Sequence, residues 1–389
     1  MTSILDFSST GSPTWAVKRP VTRRTVLHSL LAPALGALAA GCGGGDTRWE
    51  KEAKQLQGLL AAETGQTGVY HAIGRLEIGN EVVFAGAAGT YSDVDKTPVR
   101  ADTPFRAASV GKMFTAVAVL RLVERGRLTL DTPIAALLRP ALVNRLHVLE
   151  GVNRGPQLTI RQLLGHTTGL ANIDSDTTFN SAVALNPQRR WQPEELLEFS
   201  IAIGPQFAPG TSQLYSSPNY TVLGLVIEAV TNKPYHRVVR EEVLDRLGMS
   251  ETFEETSEGP GPRKLAQSYI GSLNVNLASP SFEFADGGFV STTADLSRFG
   301  HALARGTLFD RADTQAAMLQ AQGNEGIGLG PWLTEIPLKT GVVKVAYHPG
   351  YWGVMLLVVP QRDVTIAFTI NQSERDPTPL LSGFLGVIP

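Results

Sequence analysis

The sequence lacks several features that would narrow its function. It contains one cysteine, Cys42, so no internal disulfide can form and that thiol can act only near the N-terminus. It has no His-Glu-x-x-His motif and no Cys/His cluster, so it indicates no metal site, and we expect no cofactor. The Gly-x-Ser-x-Gly elbow is also missing, which argues against an enzyme built on that nucleophile turn.

An excess of positive charge is missing too. The 389 residues carry a formal net charge of −2, and the paired arginines near residue 23 make the N-terminus more basic than the remainder. A mildly acidic chain has no basic surface for a phosphate backbone, so we exclude nucleic acid as a partner. A hydrophobic content of 43% is that of an ordinary globular protein with one large domain or two smaller ones.

The N-terminus has the pattern of an export signal. In "TRRTVLHSLLAPALGALAAGC", Arg23 and Arg24 precede an apolar run over 26–40 that proline and glycine interrupt. This run is too short and too broken for a transmembrane helix, and the pattern resembles a bacterial twin-arginine signal. The ending "LAAGC" resembles a lipoprotein box, although Ala39 stands where leucine is usual.

We therefore predict three N-terminal features. Residues 1–41 form the export signal, Cys42 carries a lipid, and 42–48 form a flexible Gly-rich tether. The lipid would hold the protein at a membrane of the bacterial envelope, facing the periplasm or the cell surface. An uncleaved N-terminal anchor is the alternative.

The remaining chain predicts a mixed fold. Residues 49–63 form an amphipathic helix pattern, and β-branched and aromatic residues on both sides of Gly79-Asn80 predict a hairpin. The segment 341–373 predicts three strands, and helical patterns dominate between the two ends. Strands at both ends favour an α/β fold of the α+β type: one antiparallel sheet formed by N- and C-terminal segments, flanked by helices, with a large inserted helical lobe.

A nearly all-apolar helix pattern contains an unexpected lysine. In "FRAASVGKMFTAVAVLRLVERG", Lys112 follows Ser109 by three residues, so the two side chains share one face of a helix. Burial would lower the pKa of Lys112, and a neutral amine could accept the serine proton. The first helical turn would favour a developing oxyanion. The alternative is a lysine that extends its amine to solvent from a helix end.

Further motifs follow in a definite order. "YSSPNY" contains Tyr215 and Ser217 before a helix, and "YHPGYWG" contains His348 and Gly350 at a strand. Together with "SVGK", "LLGHTTGL", "VLDRLGMSETF" and "ADGGFVSTTADLSRFG", they resemble the serine β-lactamase and D,D-peptidase superfamily over about 49–373. The nearest branch is the class C β-lactamase-like group, with its carboxypeptidases, D-aminopeptidases and esterases.

The resemblance implies a role for each matching residue. Ser109 would be the acylated nucleophile and Lys112 its proton partner, while Tyr215 would act as general base and then general acid. Gly350 would let substrate pair along the strand, and the backbone N–H groups of Ser109 and Tyr351 would form the oxyanion hole. The family fold implies a β-lactamase-like domain over 49–389, with an α/β lobe at about 49–125 and 322–389 and a helical lobe at about 126–321.

Two departures bear on the substrate. Ser217 stands where the family has asparagine, and its shorter side chain is less suited to an amide of β-lactams or peptides. His348 replaces a lysine, and with an ordinary pKa near 6.5 it would be mostly neutral at pH 7. We read His166 in "HTTGL" as structural.

We therefore expect an esterase or D-amino-acid peptidase, with a carboxypeptidase-like substrate as one possibility. A class C-like β-lactamase is the alternative, and a non-catalytic penicillin- or peptidoglycan-binding lipoprotein is the alternative of another class. The expected substrate is an ester, a D-amino-acid peptide or a β-lactam.

Overall fold

A computed structural model of the chain describes residues 47–389. The predicted export signal (1–41), the lipidation site Cys42 and most of the predicted tether lie outside the described residues. The last two tether residues join Trp49 in a short 3-10 turn, Thr47–Trp49. No helix within residues 47–389 combines the length and the apolar character needed to cross a membrane.

The strands and helices are labelled in chain order. The strands are β1 (His71–Ile78), β2 (Glu81–Gly89), β3 (Phe105–Arg106), β4 (Val148–Leu149), β5 (Val152–Asn153), β6 (Phe253–Glu254), β7 (Tyr269–Ile270), β8 (Leu273–Asn274), β9 (Phe289–Ser291), β10 (Trp332–Leu338), β11 (Gly341–Gly350), β12 (Val354–Val359) and β13 (Val364–Thr369). The helices are α1 (Glu50–Glu63), α2 (Gly111–Glu124), α3 (Pro140–Leu146), α4 (Ile160–Leu164), α5 (Thr177–Leu185), α6 (Pro193–Ile203), α7 (Pro218–Thr231), α8 (Tyr235–Val239), α9 (Glu255–Glu258), α10 (Phe284–Gly287), α11 (Thr293–Ala304), α12 (Ala312–Met318) and α13 (Thr378–Val387).

Both ends of the chain build the central sheet. Its six strands lie in the order β10-β11-β12-β13-β1-β2, and all neighbours are antiparallel. The N-terminal hairpin pairs with the last strand, with Ile73 opposite Thr369. Gly79 forms the hairpin turn with a left-handed φ of 62°, a conformation that glycine tolerates. The predicted antiparallel sheet of N- and C-terminal segments is confirmed.

Strand β10 was not predicted, because its sequence "WLTEIPL" mixes polar and apolar residues and contains a proline. Pro337 lies opposite Val342, and β10 is an outer strand of the sheet. An outer strand can accept a proline because one side of its backbone needs no partner. By contrast, β12 and β13 are buried along their whole length, so their sequences are almost continuously apolar.

Helices cover both faces of the sheet. On one face, α1 and α13 bury an apolar cluster that includes Leu60 and Phe384. On the other, α11 packs against β12 and β13, although the domain prediction placed this helix in the helical lobe. Gly300 allows this packing, because a Cβ atom there would lie 2.6 Å from the Thr365 side chain. Helices thus pack on both faces of the sheet whose strand β11 contributes His348 and Gly350.

A histidine joins α11 to strand β1 and to the turn before β13. The Nδ1 atom of His301 lies 2.7 Å from the Asp363 carboxylate, and its Nε2 atom lies 2.9 Å from the Glu77 carboxylate. Burial alone would lower the pKa of His301, but the two carboxylates outweigh it and the pKa is raised. The protonated ring donates from both nitrogens, so it connects helix and sheet best when charged.

Helix α2 is apolar over most of its surface because it lies inside the protein. Its residues from Gly111 to Leu122 are buried, and it contacts α7 and α10 of the helical region. The strand β11 reaches the short turn that precedes α2. The start of α2 therefore lies where the sheet and the helical region meet.

Candidate active site

Ser109 lies on a strained turn at the start of α2. Residues Ala108–Val110 form a 3-10 turn, and Ala108 has a φ of 48°, a left-handed conformation uncommon for a residue other than glycine. Ser109 is partly accessible between two buried neighbours. The end of β11 passes close to this turn, because a Cβ atom at Gly350 would lie 2.7 Å from the carbonyl oxygen of Ala107. Glycine is therefore required at position 350.

Lys112 is fully buried and hydrogen-bonded beneath Ser109. Its Nζ atom donates to Ser109 Oγ at 3.1 Å and to the carbonyl oxygen of Asp286 at 2.8 Å. It also lies 3.5 Å from the Asp286 carboxylate. The spacing thus brings hydroxyl and amine together, and the fold adds an acidic partner far away in the sequence.

The expected lowering of the Lys112 pKa is wrong. Burial does lower it, but the nearby Tyr215 oxygen and the Asp286 carboxylate outweigh burial and raise the pKa. The lysine is therefore an ammonium group in the resting site. Burial raises the pKa of Asp286 to about 7, against the opposing effect of the Lys112 charge.

Tyr215 lies in a row of stacked rings beside this pair. Its ring centroid lies 5.1 Å from Lys112 Nζ, 4.6 Å from the His166 ring and 6.0 Å from the Trp332 ring. Burial raises the pKa of Tyr215, and the Lys112 ammonium partly offsets this. His166 accepts a hydrogen bond on Nδ1 from the backbone N–H of Ser216 at 3.0 Å, so it holds the tyrosine loop in place.

Ser217 faces a carboxylate rather than the open cavity. Its Oγ donates to Asp174 at 3.0 Å, and its backbone N–H donates to the side-chain oxygen of Asn172 at 3.0 Å. Asp174, rather than Ser217, lines the cavity beside Ser109. The serine at the asparagine position therefore positions an acid that the sequence did not single out.

His348 is neutral, and its expected ordinary pKa is wrong. The ring is 1% exposed, and burial together with the Lys112 charge lowers its pKa to about 3. Nδ1 donates to the carbonyl oxygen of Pro349 at 2.8 Å. Nε2 then carries a lone pair, and within residues 47–389 it has no hydrogen-bond partner.

One cavity brings most of the predicted residues together. It is lined by Ser109, Asp174, Tyr215, Trp332, His348, Pro349, Gly350, Tyr351, Gly353, Ser373, Arg375 and Pro377. Lys112 lies directly behind Ser109, and Ser217 is linked to the cavity lining through Asp174. Asp174, Trp332 and Arg375 were missed, because none belongs to a recognisable motif. The position of Asp174 just after "HTTGL" is the one signal that could have identified it.

The arrangement suits nucleophilic catalysis. A partly accessible hydroxyl, a buried cation that donates to it and a phenol within reach form a connected set at the wall of a cavity. Among residues 47–389, no group of three or more His, Cys, Asp or Glu side chains is placed to hold a metal ion.

Known proteins share this sequence pattern and fold. The chain is 32% identical over 200 residues to the esterase EstB of Burkholderia gladioli, a match that covers 49% of this chain and 47% of EstB. It is 29% identical over 243 residues to the protein flp of Staphylococcus aureus strain N315, covering 62% of this chain and 46% of flp. The matches span about half the length of these curated relatives.

A solved structure matches over most of its length. The D-stereospecific amidohydrolase of a Streptomyces species superposes with a TM-score of 0.73 and 26% identity, covering 87% of this chain and 99% of that protein. A profile of the Beta-lactamase family matches residues 54–381, which include the Ser109 turn, the Tyr215 loop and the end of β11. The chain therefore belongs to the Beta-lactamase family.

Proposed function

We propose that this protein is a serine hydrolase that acts through an acyl-enzyme on Ser109, with esterase or D-amino-acid peptidase activity. The observation that carries the proposal is the 3.1 Å hydrogen bond from Lys112 Nζ to Ser109 Oγ, with the Tyr215 ring 5.1 Å from the same nitrogen. The names of an esterase and a D-stereospecific amidohydrolase among the similar proteins support these two substrate classes.

Acylation requires a proton acceptor for Ser109 Oγ. Because the pKa of Lys112 is raised, we assign the acceptor role to Tyr215 and not to the amine. The Lys112–Tyr215 pair first loses the proton of the Tyr215 hydroxyl. The Lys112 ammonium then stabilises the Tyr215 phenolate. Ser109 Oγ attacks the carbonyl carbon, its proton passes to the phenolate, and the backbone N–H groups of Ser109 and Tyr351 stabilise the oxyanion.

Departure of the leaving group completes acylation, and deacylation then uses the same groups with water. Tyr215 gives its proton to the departing alcohol or amine, which leaves the acyl group on Ser109 Oγ. The phenolate formed in this way accepts a proton from a water molecule, and the resulting hydroxide equivalent attacks the acyl ester. The serine recovers its proton from Tyr215, and the acid product leaves.

The site favours esters over β-lactams, which present both an amide and a carboxylate. Ser217 Oγ donates its one hydrogen to Asp174, so it cannot also donate to the oxygen of a substrate amide. His348 is neutral, so it lacks the permanent charge that would attract the carboxylate of a β-lactam. A class C-like β-lactamase is the second candidate, since Ser109, Lys112 and Tyr215 are all present.

Labelling and turnover test the proposal together. Wild type, Ser109→Ala and Tyr215→Phe are treated with a fluorophosphonate and with a fluorescent penicillin, and hydrolysis of p-nitrophenyl butyrate, a D-alanyl peptide and a chromogenic β-lactam is then measured. We expect wild type to be labelled and to hydrolyse the ester or the peptide fastest. Each variant should lose about 10³-fold or more in kcat/KM.

Two results would contradict the proposal. Labelling of wild type without turnover of any substrate would favour a non-catalytic penicillin- or peptidoglycan-binding protein. Turnover that survives Ser109→Ala would remove Ser109 as the nucleophile.

We also propose that the protein is exported through residues 1–41 and anchored by a lipid on Cys42. The paired arginines and the "LAAGC" ending support this. Labelled palmitate should enter the wild type and not Cys42→Ser, and the wild type should fractionate with membranes. An unlabelled protein that stays in the cytosol would refute the proposal.

A further inference from the structure

We infer that Asp174 selects substrates that carry a positively charged group near the scissile bond. This inference rests on the proposed hydrolase function and names the substrate class of the same site. Asp174 lines the cavity that contains Ser109, and its carboxylate accepts hydrogen bonds from Ser217 Oγ at 3.0 Å and from the Asn172 side chain at 3.3 Å. These two donors hold the carboxylate in one orientation.

No cation is bound directly to the Asp174 side chain. Both of its side-chain partners, Ser217 and Asn172, are neutral, and within residues 47–389 no lysine or arginine forms an ion pair with it. Lys112 binds Ser109 and Asp286, and its charge acts on Asp174 from beyond ion-pair distance. The Asp174 side chain therefore lines the cavity without a cation in contact with it.

Among residues 47–389, the arginine that lines the same cavity is already paired. Arg375 binds the Glu63 carboxylate through two contacts of 2.8 and 3.2 Å. The Glu63 carboxylate offsets the charge of Arg375 and so weakens its attraction for a substrate carboxylate. His348 adds no positive charge, because its imidazole is neutral.

His348 adds no acceptor at the surface of the cavity. The residue lines the cavity and is 1% exposed, and its Nε2 atom is buried and accepts no hydrogen bond from the described residues. The acceptor that we assign to a bound molecule is therefore the Asp174 carboxylate. A cationic group matches a carboxylate by charge, with or without N–H donors, whereas a substrate carboxylate offers only further acceptors.

Two pairs of esters serve as probes. In the first, p-nitrophenyl butyrate with a terminal trimethylammonium group is compared with its isostere that carries tert-butyl instead, so the charge is on the acyl side. In the second, butyrylthiocholine is compared with the thioester whose leaving group carries tert-butyl, so the charge is on the leaving side. The readout is the ratio of kcat/KM for the charged and the neutral member of each pair.

Asp174→Asn is the test variant, because asparagine keeps the shape and can still accept from Ser217. We expect the wild-type ratio to exceed one for at least one pair, and Asp174→Asn to lower it by about tenfold. Added salt should lower the wild-type ratio and leave that of the variant nearly constant, since salt screens a charge attraction.

The matched control is Asp176→Asn in the same loop. Asp176 does not line the cavity; it accepts a hydrogen bond from the backbone N–H of Phe179 and caps α5. Asparagine caps a helix equally well, so this variant removes one charge and should keep the wild-type ratio.

The possible failures are distinguishable. An enzyme that hydrolyses the neutral esters through Ser109 but shows ratios of one or less, or ratios that Asp174→Asn leaves unchanged, overturns this inference alone. Absence of hydrolysis, or hydrolysis that survives Ser109→Ala, overturns the proposed function.

Discussion

The neutral state of His348 leads to a prediction about substrate choice and pH. With a pKa of about 3, the imidazole is protonated in roughly one molecule in 300 at pH 5.5. An ordinary histidine would go from roughly 90% protonated at pH 5.5 to roughly 3% at pH 8. A charge-assisted hydrogen bond is worth roughly 1.5–3 kcal/mol, so an ordinary histidine would change the preference for an anionic substrate by about tenfold or more over this range.

The assay compares an anionic and a neutral ester of similar size. The ratio of kcat/KM for the p-nitrophenyl monoester of glutaric acid and for p-nitrophenyl butyrate is measured from pH 5.5 to 8, in wild type and in His348→Asn. Asparagine places an amide nitrogen near the position of Nδ1. We expect the pH dependence of the ratio to be the same in both proteins, because His348 does not titrate in this range.

Asp286 needs its own control. Its pKa is raised to about 7, so its charge does change within the assay range. If the ratio of kcat/KM values changes with pH in wild type and in His348→Asn but not in Asp286→Asn, the change is caused by titration of the Asp286 carboxyl group. That result agrees with our reasoning. A change of about tenfold that disappears in His348→Asn would show that His348 titrates, and would refute the argument from burial.

The remaining predictions concern the cation, the glycine at the nucleophile turn and the histidine on α11. Lys112→Arg keeps a positive charge beside Tyr215, so its kcat/KM should exceed that of Lys112→Met by about tenfold; equal losses would show that a neutral amine is required. Gly350→Ala should lower kcat/KM by about 10²-fold, since the new Cβ would lie 2.7 Å from a backbone oxygen of the nucleophile turn, whereas Gly58→Ala, with nothing within 4 Å, should not. His301→Gln should lower the melting temperature most between about pH 5 and 6.5. The raised pKa of His301 gives stability that is complete below its unfolded value of 6.5 and is lost as pH rises through the folded value. The lowered pKa values of Glu77 and Asp363 give stability that is lost as pH falls through their folded values. A difference that persists unchanged at pH 9.5 would contradict this.

The local features of the protein could be predicted from the sequence. Ser109 and Lys112 meet because residues three apart share a helix face, whatever surrounds them. The hairpin at Gly79 and the buried strands β12 and β13 follow from turn chemistry and from apolar runs, which are also local properties. The order of the motifs was enough to predict the fold class and the family.

The charge state of the site was decided by tertiary structure. Asp286 reaches Lys112 across 174 residues and helps raise the pKa that burial alone would lower. Ser217 has a shorter side chain than the asparagine it replaces, but it contacts Asp174, whose carboxylate lies at the cavity wall. Burial and the same lysine keep His348 neutral. Sequence spacing determines which side chains share a helix face, but a pKa depends on the solvent excluded and the charges brought close by distant segments, and only the folded chain has those.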